Sequence, residues 1–172
     1  NLSSKKHYIE IDEREDAPTL LDNPKLVKPF EMLTELYAYP KYKRFDPTPI
    51  MAITFPLFFG FMLTDAFYGL LLSFTGLFLF SRFRKTDEKI KNAAIMLLLL
   101  GASTTLLGVV FGSYFGDFFQ KIGINVPAPI DSMKQVMLTL TIALSIGGLH
   151  LLTGLISGFY DNIRNRLIKD AL

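Results

Sequence analysis

The chain has 172 residues, half of them hydrophobic, with 16 Phe, no Trp and no Cys. The lack of cysteine excludes disulfides, thiolate metal sites and cysteine nucleophiles, and the formal net charge of +2 is too small to indicate nucleic-acid binding. Its long uncharged apolar runs are instead typical of a helical membrane domain.

Residues 1–46 form the one substantial segment without membrane character, and we expect a cytoplasmic linker that follows a soluble domain. Asn23 and Pro24 predict a helix start, with Asn23 as the cap. Apolar side chains then recur at helical spacing as far as Tyr37, which predicts a short amphipathic helix. This helix could lie on the membrane surface, bind a partner or serve as a plain linker. Residues 47–172 are predicted to form part of a membrane domain.

The stretch from Pro47 to Ser81 has 35 residues and a single formal charge, Asp65. One straight helix through it would be about 52 Å long, whereas the hydrocarbon core of a bilayer is about 30 Å thick. Two shorter helices, over 48–63 and 65–82 with a tight turn at Thr64–Asp65, fit that thickness. The sequence therefore predicts a transmembrane helical hairpin.

Asp65 has two interpretations. At the turn, its carboxylate could cap the second helix beside the positive end of the helix dipole, with Tyr68 at the depth of the membrane interface. A carboxylate inside the bilayer could instead line an ion path. A cap is a sufficient structural reason for the residue, so capping is favoured.

Two further apolar runs predict transmembrane helices over 91–116 and 134–160, joined by a loop that holds Pro127 and Pro129. The predicted fold is therefore an all-α membrane protein with four transmembrane helices. Thr104 begins a series of small residues at four-residue intervals, and such a stripe lets helices approach closely, which is the main drive for association in lipid. The predicted packing residues of the two runs are Gly108, Gly112, Gly116, Gly154 and Gly158.

His150 is the one ionisable residue of the last apolar run. With a reference pKa near 6.5, an imidazole could relay a proton. It could equally donate a single hydrogen bond to a neighbouring helix. Neither interpretation is favoured by the sequence.

The basic residues that flank the apolar runs test the number of crossings, because Lys and Arg concentrate on the cytoplasmic side of membrane proteins. With four crossings, eleven lie on one side: Lys41, Lys43, Arg44, Arg82, Arg84, Lys85, Lys89, Lys91, Arg164, Arg166 and Lys169. The other side then carries only Lys121 and Lys134. A single crossing of Pro47–Ser81 would split the same residues five against eight. Four transmembrane helices, with both ends of the chain in the cytoplasm, are therefore predicted.

Several blocks of sequence carry a resemblance to a known family. They read PFEMLTELY over 29–37, FDPTP over 45–49, FPLFFGFMLTDAFYG over 55–69, GLH over 148–150 and GLI over 154–156. These blocks resemble the start of the membrane region in subunit I of archaeal and bacterial A/V-type rotary ATPases, the relative of subunit a in the eukaryotic vacuolar proton pump. The family's later helices, which carry the arginine that faces the rotating ring, have no counterpart here. The resemblance therefore implies the first half of the membrane domain.

This resemblance implies a stator membrane subunit of an ion-translocating rotary ATPase, which holds the stator and contributes to proton or sodium transport. The implied partners are the proteolipid ring, the peripheral stalk, and, through the complex, the central stalk and the soluble ATPase subunits, within a lipid bilayer. No catalytic residue, metal ligand or cofactor is expected in this chain. A small stand-alone transporter or channel, or a plain membrane anchor, is the alternative.

Overall fold

The computed structural model describes residues 21–37, 45–83, 85, 87–116, 118–124, 126, 128–131 and 134–169. Every regular element in these ranges is helical, so the predicted all-α fold is confirmed for the described residues. A 3₁₀ turn (Lys28–Phe30) leads into α1 (Glu31–Tyr37), followed by α2 (Thr48–Leu63), α3 (Ala66–Phe83), α4 (Glu88–Val110), α5 (Phe118–Lys121) and α6 (Val136–Lys169). Residues 1–20 and 38–44 of the predicted linker lie outside the described residues.

Among the described residues, three helices are long and apolar enough to cross a membrane: α3, α4 and the Val136–Tyr160 part of α6. The helix α2 is apolar but has only 16 residues. At 1.5 Å per residue it is about 24 Å long, whereas the hydrocarbon core is about 30 Å thick. By length and composition, three of the described helices can therefore span a membrane, whereas the sequence predicts four transmembrane helices.

The end of α4 also differs from the prediction. The helix begins at Glu88, where the Asp87 side chain accepts a hydrogen bond from the Lys89 N–H at 2.8 Å, and it ends at Val110 rather than at residue 116. Gly112 and Gly116 have φ angles of +66° and +62°, which the right-handed helix does not allow. The four-residue series of small residues thus does not run along one helix, because only Thr104 and Gly108 lie in α4.

The core of the described chain is the contact between α3 and α4. Gly69 of α3 faces Gly101 and Thr105, and a Cβ atom on Gly69 would lie 2.8 Å from the Gly101 carbonyl oxygen and 2.5 Å from Thr105 Oγ1. Towards the other end of α3, a Cβ on Gly76 would lie 2.9 Å from the Ala94 carbonyl oxygen. The two helices therefore run antiparallel, with backbone close to backbone at both points.

The helix α2 lies against the same central helix, α4. Gly60, near its C-terminal end, faces Ser103 and Leu107. The ring of Phe61 contacts that of Phe111, just after α4, with the ring centres 5.6 Å apart. The C-terminal end of α2 therefore lies near the C-terminal end of α4.

The segment before α2 packs at the opposite end of α4. Lys28 Nζ lies 2.6 Å from Glu88 Oε1 in an exposed ion pair, and this hydrogen bond and the charge of Glu88 raise the pKa of Lys28. Thr34 Oγ1 and Thr48 Oγ1 are buried and 2.9 Å apart. Thr48, the first residue of α2, therefore contacts a segment that also forms an ion pair with Glu88, the first residue of α4.

In contrast to α2, α3 and α4, the last helix has little cover from the described residues. None of the apolar window in Val136–Tyr160 is buried. A Cβ atom added to Gly147, Gly148, Gly154 or Gly158 would have nothing within 4 Å. Along this helix, therefore, apolar surface is available to lipid or to other protein.

Replacing Gly69 by Ala is expected to loosen the α3–α4 pair. Its methyl group would overlap the backbone of α4, and overpacking of this kind costs about 1–3 kcal/mol. Gly148→Ala is the matched control, since it sits inside a helix with open space around it and gains the same helix propensity. The melting temperature in detergent should fall for Gly69→Ala and stay level or rise for Gly148→Ala. Equal melting temperatures would contradict the close contact.

Candidate functional site

Asp65 lies in the two-residue connection between α2 and α3, and its side chain is 4% exposed. The preceding Thr64 has a left-handed backbone (φ 35°) and donates its N–H to the Gly60 carbonyl at 2.7 Å, which ends α2. This single left-handed residue directs the chain from α2 into α3 and places the next side chain at the start of α3.

The Asp65 carboxylate caps α3. Its Oδ1 atom accepts hydrogen bonds from the backbone N–H of Phe67 at 2.9 Å and of Tyr68 at 3.2 Å. These N–H groups belong to the first turn of the helix and have no carbonyl partner within it. The geometry is that of an aspartate N-cap, with the negative charge at the positive end of the helix dipole.

The same carboxylate also binds the turn that follows α4. Gly116 N–H donates to Oδ2 at 2.7 Å, Phe115 N–H to Oδ1 at 3.2 Å and the Ser113 hydroxyl to Oδ2 at 3.3 Å. In addition, Ala66 N–H donates to the Ser113 carbonyl at 3.0 Å. We call Asp65, Ser113, Phe115 and Gly116 the Asp65 cluster. It joins two segments separated by 48 to 51 positions in the sequence.

Gly108 allows the two segments of the cluster to meet. A Cβ atom at this position would lie 2.5 Å from the Asp65 carbonyl carbon and 2.7 Å from the Ala66 Cα. No side chain fits there, so the last turn of α4 lies directly against the first residues of α3. The sequence singled out Gly108 for packing, and the structure places it at this contact.

The other predicted packing glycines lie elsewhere. Gly112 and Gly116 lie in the turn after α4, where their positive φ angles favour a residue without a Cβ. Ala128 lies where a Cβ on Gly112 would be, whereas Gly116 has nothing within 4 Å of that point. Gly154 and Gly158 of α6 have no neighbour among the described residues. Besides that of Gly108, the close helix–helix contacts involve Gly60, Gly69, Gly76 and Gly101, which the spacing within one run did not indicate.

Chemically, the cluster holds a carboxylate without a countercharge. Five neutral donors converge on two oxygen atoms that have about four lone-pair sites between them. Within the described ranges, no cationic side chain forms an ion pair with Asp65. The hydrogen-bonding capacity of the carboxylate is therefore used within the protein.

His150 lies at a different place, on α6 opposite α2. Its ring packs edge to face with Phe58, with the ring centres 5.1 Å apart. The Nδ1 atom is buried and has no hydrogen-bond partner in the described part of the chain. No described contact joins His150 to the Asp65 cluster, so the two ionisable residues singled out by the sequence are not brought together.

A second polar network connects Asn23 with two of the sequence blocks that carry the family resemblance, 29–37 and 45–49. Asn23 Nδ2 donates to Glu31 Oε1 at 3.0 Å and to Asp46 Oδ2 at 2.9 Å. Asp46 Oδ1 in turn accepts from the backbone N–H of Thr48 at 2.9 Å and from its hydroxyl at 2.6 Å. These residues attach the segment around α1 to the first turn of α2.

Comparisons with known proteins agree with this reading of the motifs. A family model described as the V-type ATPase 116kDa subunit family matches residues 1–122. Among curated proteins, the chain is 44% identical to the A-type ATP synthase subunit I of Pyrococcus abyssi, over 92% of this chain and 25% of that protein. It is 38% identical to that of Methanocaldococcus jannaschii, over 95% of this chain and 28% of that protein. The chain thus spans about a quarter of the length of these relatives.

Replacing Asp65 by Ala should destabilise the chain more than removing an ordinary helix cap. Asp65→Ala leaves donors of two segments unpaired, so we expect a loss of about 3 kcal/mol, against about 1 kcal/mol for the cap residue Asp87→Ala. The loss of stability for Asp65→Asn should lie between these two values, because the amide nitrogen of Asn cannot accept the hydrogen bonds from Gly116 and Ser113. Melting temperatures in detergent provide the measurement.

The control Asp87→Ala removes a cap at an exposed helix start, and the Asp87 side chain has no hydrogen bond to a second segment among the described residues. If both alanine variants melt at the same temperature, the bonds from Asp65 to Ser113, Phe115 and Gly116 contribute nothing to stability.

Proposed function

Because the chain belongs to the V-type ATPase 116kDa subunit family, we propose that it is the first half of the membrane domain of a stator subunit in an ion-translocating rotary ATPase or ATP synthase. The observation that carries the proposal is the family match over residues 1–122, which includes α2, α3 and α4. In this role the chain supports proton or sodium transport. ATP synthesis or hydrolysis takes place in other subunits of the complex.

The proposed role of the described side chains is structural. No group of three or more His, Cys, Asp or Glu among the described residues could hold a metal ion. The buried carboxylate of Asp65 accepts five hydrogen bonds, which supports this residue as a cap and a connection rather than an ion-path residue. Gly108 belongs to the same proposal, as the residue that lets α4 approach α3.

We further propose that α2 is a fourth membrane crossing and forms a hairpin with α3. Its first residue, Thr48, lies at the Glu88 end of α4, through the contacts of Thr34 and Lys28. Its last turn lies near the other end, where Gly60 faces Leu107. The helix thus follows α4 over most of its length, and the preceding Pro47 and the turn at Thr64–Asp65 extend it towards both surfaces. Both ends of the chain are then cytoplasmic, as the distribution of Lys and Arg favours.

Cysteine labelling tests this topology, because the chain has no native cysteine. With four crossings, cysteines replacing the exposed residues Phe45 and Asp87 should react with an impermeant thiol reagent from the same side. A cysteine replacing Ile122, which is 54% exposed, should react only from the opposite side. If α2 does not cross, the cysteine at 45 will instead react from the same side as the one at 122.

The proposed partners follow from the surface that the chain leaves uncovered. None of the apolar window of α6 is buried, and its glycines Gly154 and Gly158 face open space in the described structure. Small residues at this spacing allow another helix to approach closely. We therefore assign this face to other membrane helices of the complex, which also contains the proteolipid ring, the peripheral stalk, the central stalk and the soluble ATPase subunits.

Co-purification tests both the function and the role of α6. Expressed with the other subunits of an A-type ATP synthase, the tagged chain should be recovered together with the proteolipid ring and the soluble ATPase subunits. Gly154→Leu should reduce that recovery without lowering the melting temperature of the isolated chain, because its own described residues make no contact there.

Leu152→Ala provides a control on the same helix, since it removes volume at an exposed position instead of adding it. Failure of the unmodified chain to recover any synthase subunit would contradict the stator proposal. Normal recovery with Gly154→Leu would contradict only the role of this face.

A further inference from the structure

Five aromatic rings gather where α3 begins and α4 has just ended. Phe67 and Tyr68 come from the first turn of α3, and Phe115, Phe118 and Phe119 come from the segment after α4. We call these five residues the aromatic patch. The rings of Tyr68 and Phe115 stack with their centres 5.5 Å apart, Phe67 contacts Phe115 at 5.6 Å, and Phe118 contacts Phe119 at 5.7 Å.

The patch is exposed, although its rings contact one another. Phe115 and Phe118 are each 54% exposed, and Phe67 and Tyr68 are 44% and 45% exposed. Leaving so much apolar area in water is unfavourable by about 25 cal/mol per Å², so the patch requires an apolar or amphipathic surrounding.

Continuity with α3 indicates what that surrounding is. From Phe67, exposed apolar side chains continue at helical spacing through Leu70, Leu71, Phe74, Leu77 and Phe78. This stripe lies along a helix that is long and apolar enough to cross a membrane. The patch is the end of the stripe and is followed by the exposed polar residues Gln120 and Lys121. It therefore lies where an apolar helix surface gives way to polar groups.

We propose that the aromatic patch binds lipid at the boundary between headgroups and acyl chains and so fixes the depth of α3 and α4 in the bilayer. Aromatic rings with a polar edge are favoured at this depth, and Tyr68 supplies such an edge. The Asp65 cluster holds the backbone of Phe67, Tyr68 and Phe115, so these rings are presented in a fixed arrangement.

Single tryptophans test the proposal, because the chain contains no Trp of its own. Phe118→Trp and Tyr68→Trp place the probe in the patch, and Phe74→Trp places it at the middle of the α3 stripe, where the native side chain is 70% exposed. The full chain is reconstituted in phosphatidylcholine vesicles whose acyl chains carry bromine either near the glycerol end or near the methyl end. Loss of Trp emission then reports contact with lipid at each depth.

Both patch probes should lose more emission with bromine near the glycerol end, and Phe74→Trp should lose more with bromine near the methyl end. A patch probe that is blue-shifted but not quenched would be covered by protein, and one that is red-shifted and not quenched would lie in water. Either result overturns the proposal, as does stronger quenching of the patch probes by the deep bromine. Using two patch positions keeps the test decisive if one variant fails to fold.

Discussion

The architecture around α3 and α4 depends on one buried carboxylate. The free N–H groups at the start of a helix and in a tight turn need partners within the protein wherever water cannot satisfy them. Asp65 meets this need for both segments, with hydrogen bonds to Phe67 and Tyr68 on one side and to Phe115 and Gly116 on the other. These bonds replace the water that the carboxylate loses on burial, which would otherwise be costly for a charged group.

Close backbone contact is the second requirement, and glycine provides it at several levels of the same helix pair. Gly108 lies against the residues of the cluster, Gly69 and Gly101 face each other, and Gly76 faces Ala94 and Leu98. Dispersion contacts are the main drive for helix association in lipid, where apolar burial contributes little. The cluster therefore fixes one end of the pair, while the glycines determine how closely the rest of it packs.

Local signals in the sequence predicted α2 over 48–63, as the structure has it, because Pro47 and Pro49 mark its start and the turn at Thr64–Asp65 its end. They failed at residues 111–116, where the apolar run looks like uninterrupted helix. The turn there is held by bonds to Asp65, about 50 positions away, which no local pattern reveals. The packing glycines of α3 and α4 were missed for a related reason. Gly69 and Gly101 face each other from two different helices, and the spacing of small residues along one run cannot reveal such a pair.

The attachment of α1 to the membrane helices has a mechanical consequence. Three separate contacts hold this segment: Asn23 to Asp46, Thr34 to Thr48, and Lys28 to Glu88. The segment is therefore attached both to the start of α2 and, through Lys28, to the start of α4. A load on this segment is shared between the two helices, so neither carries it alone.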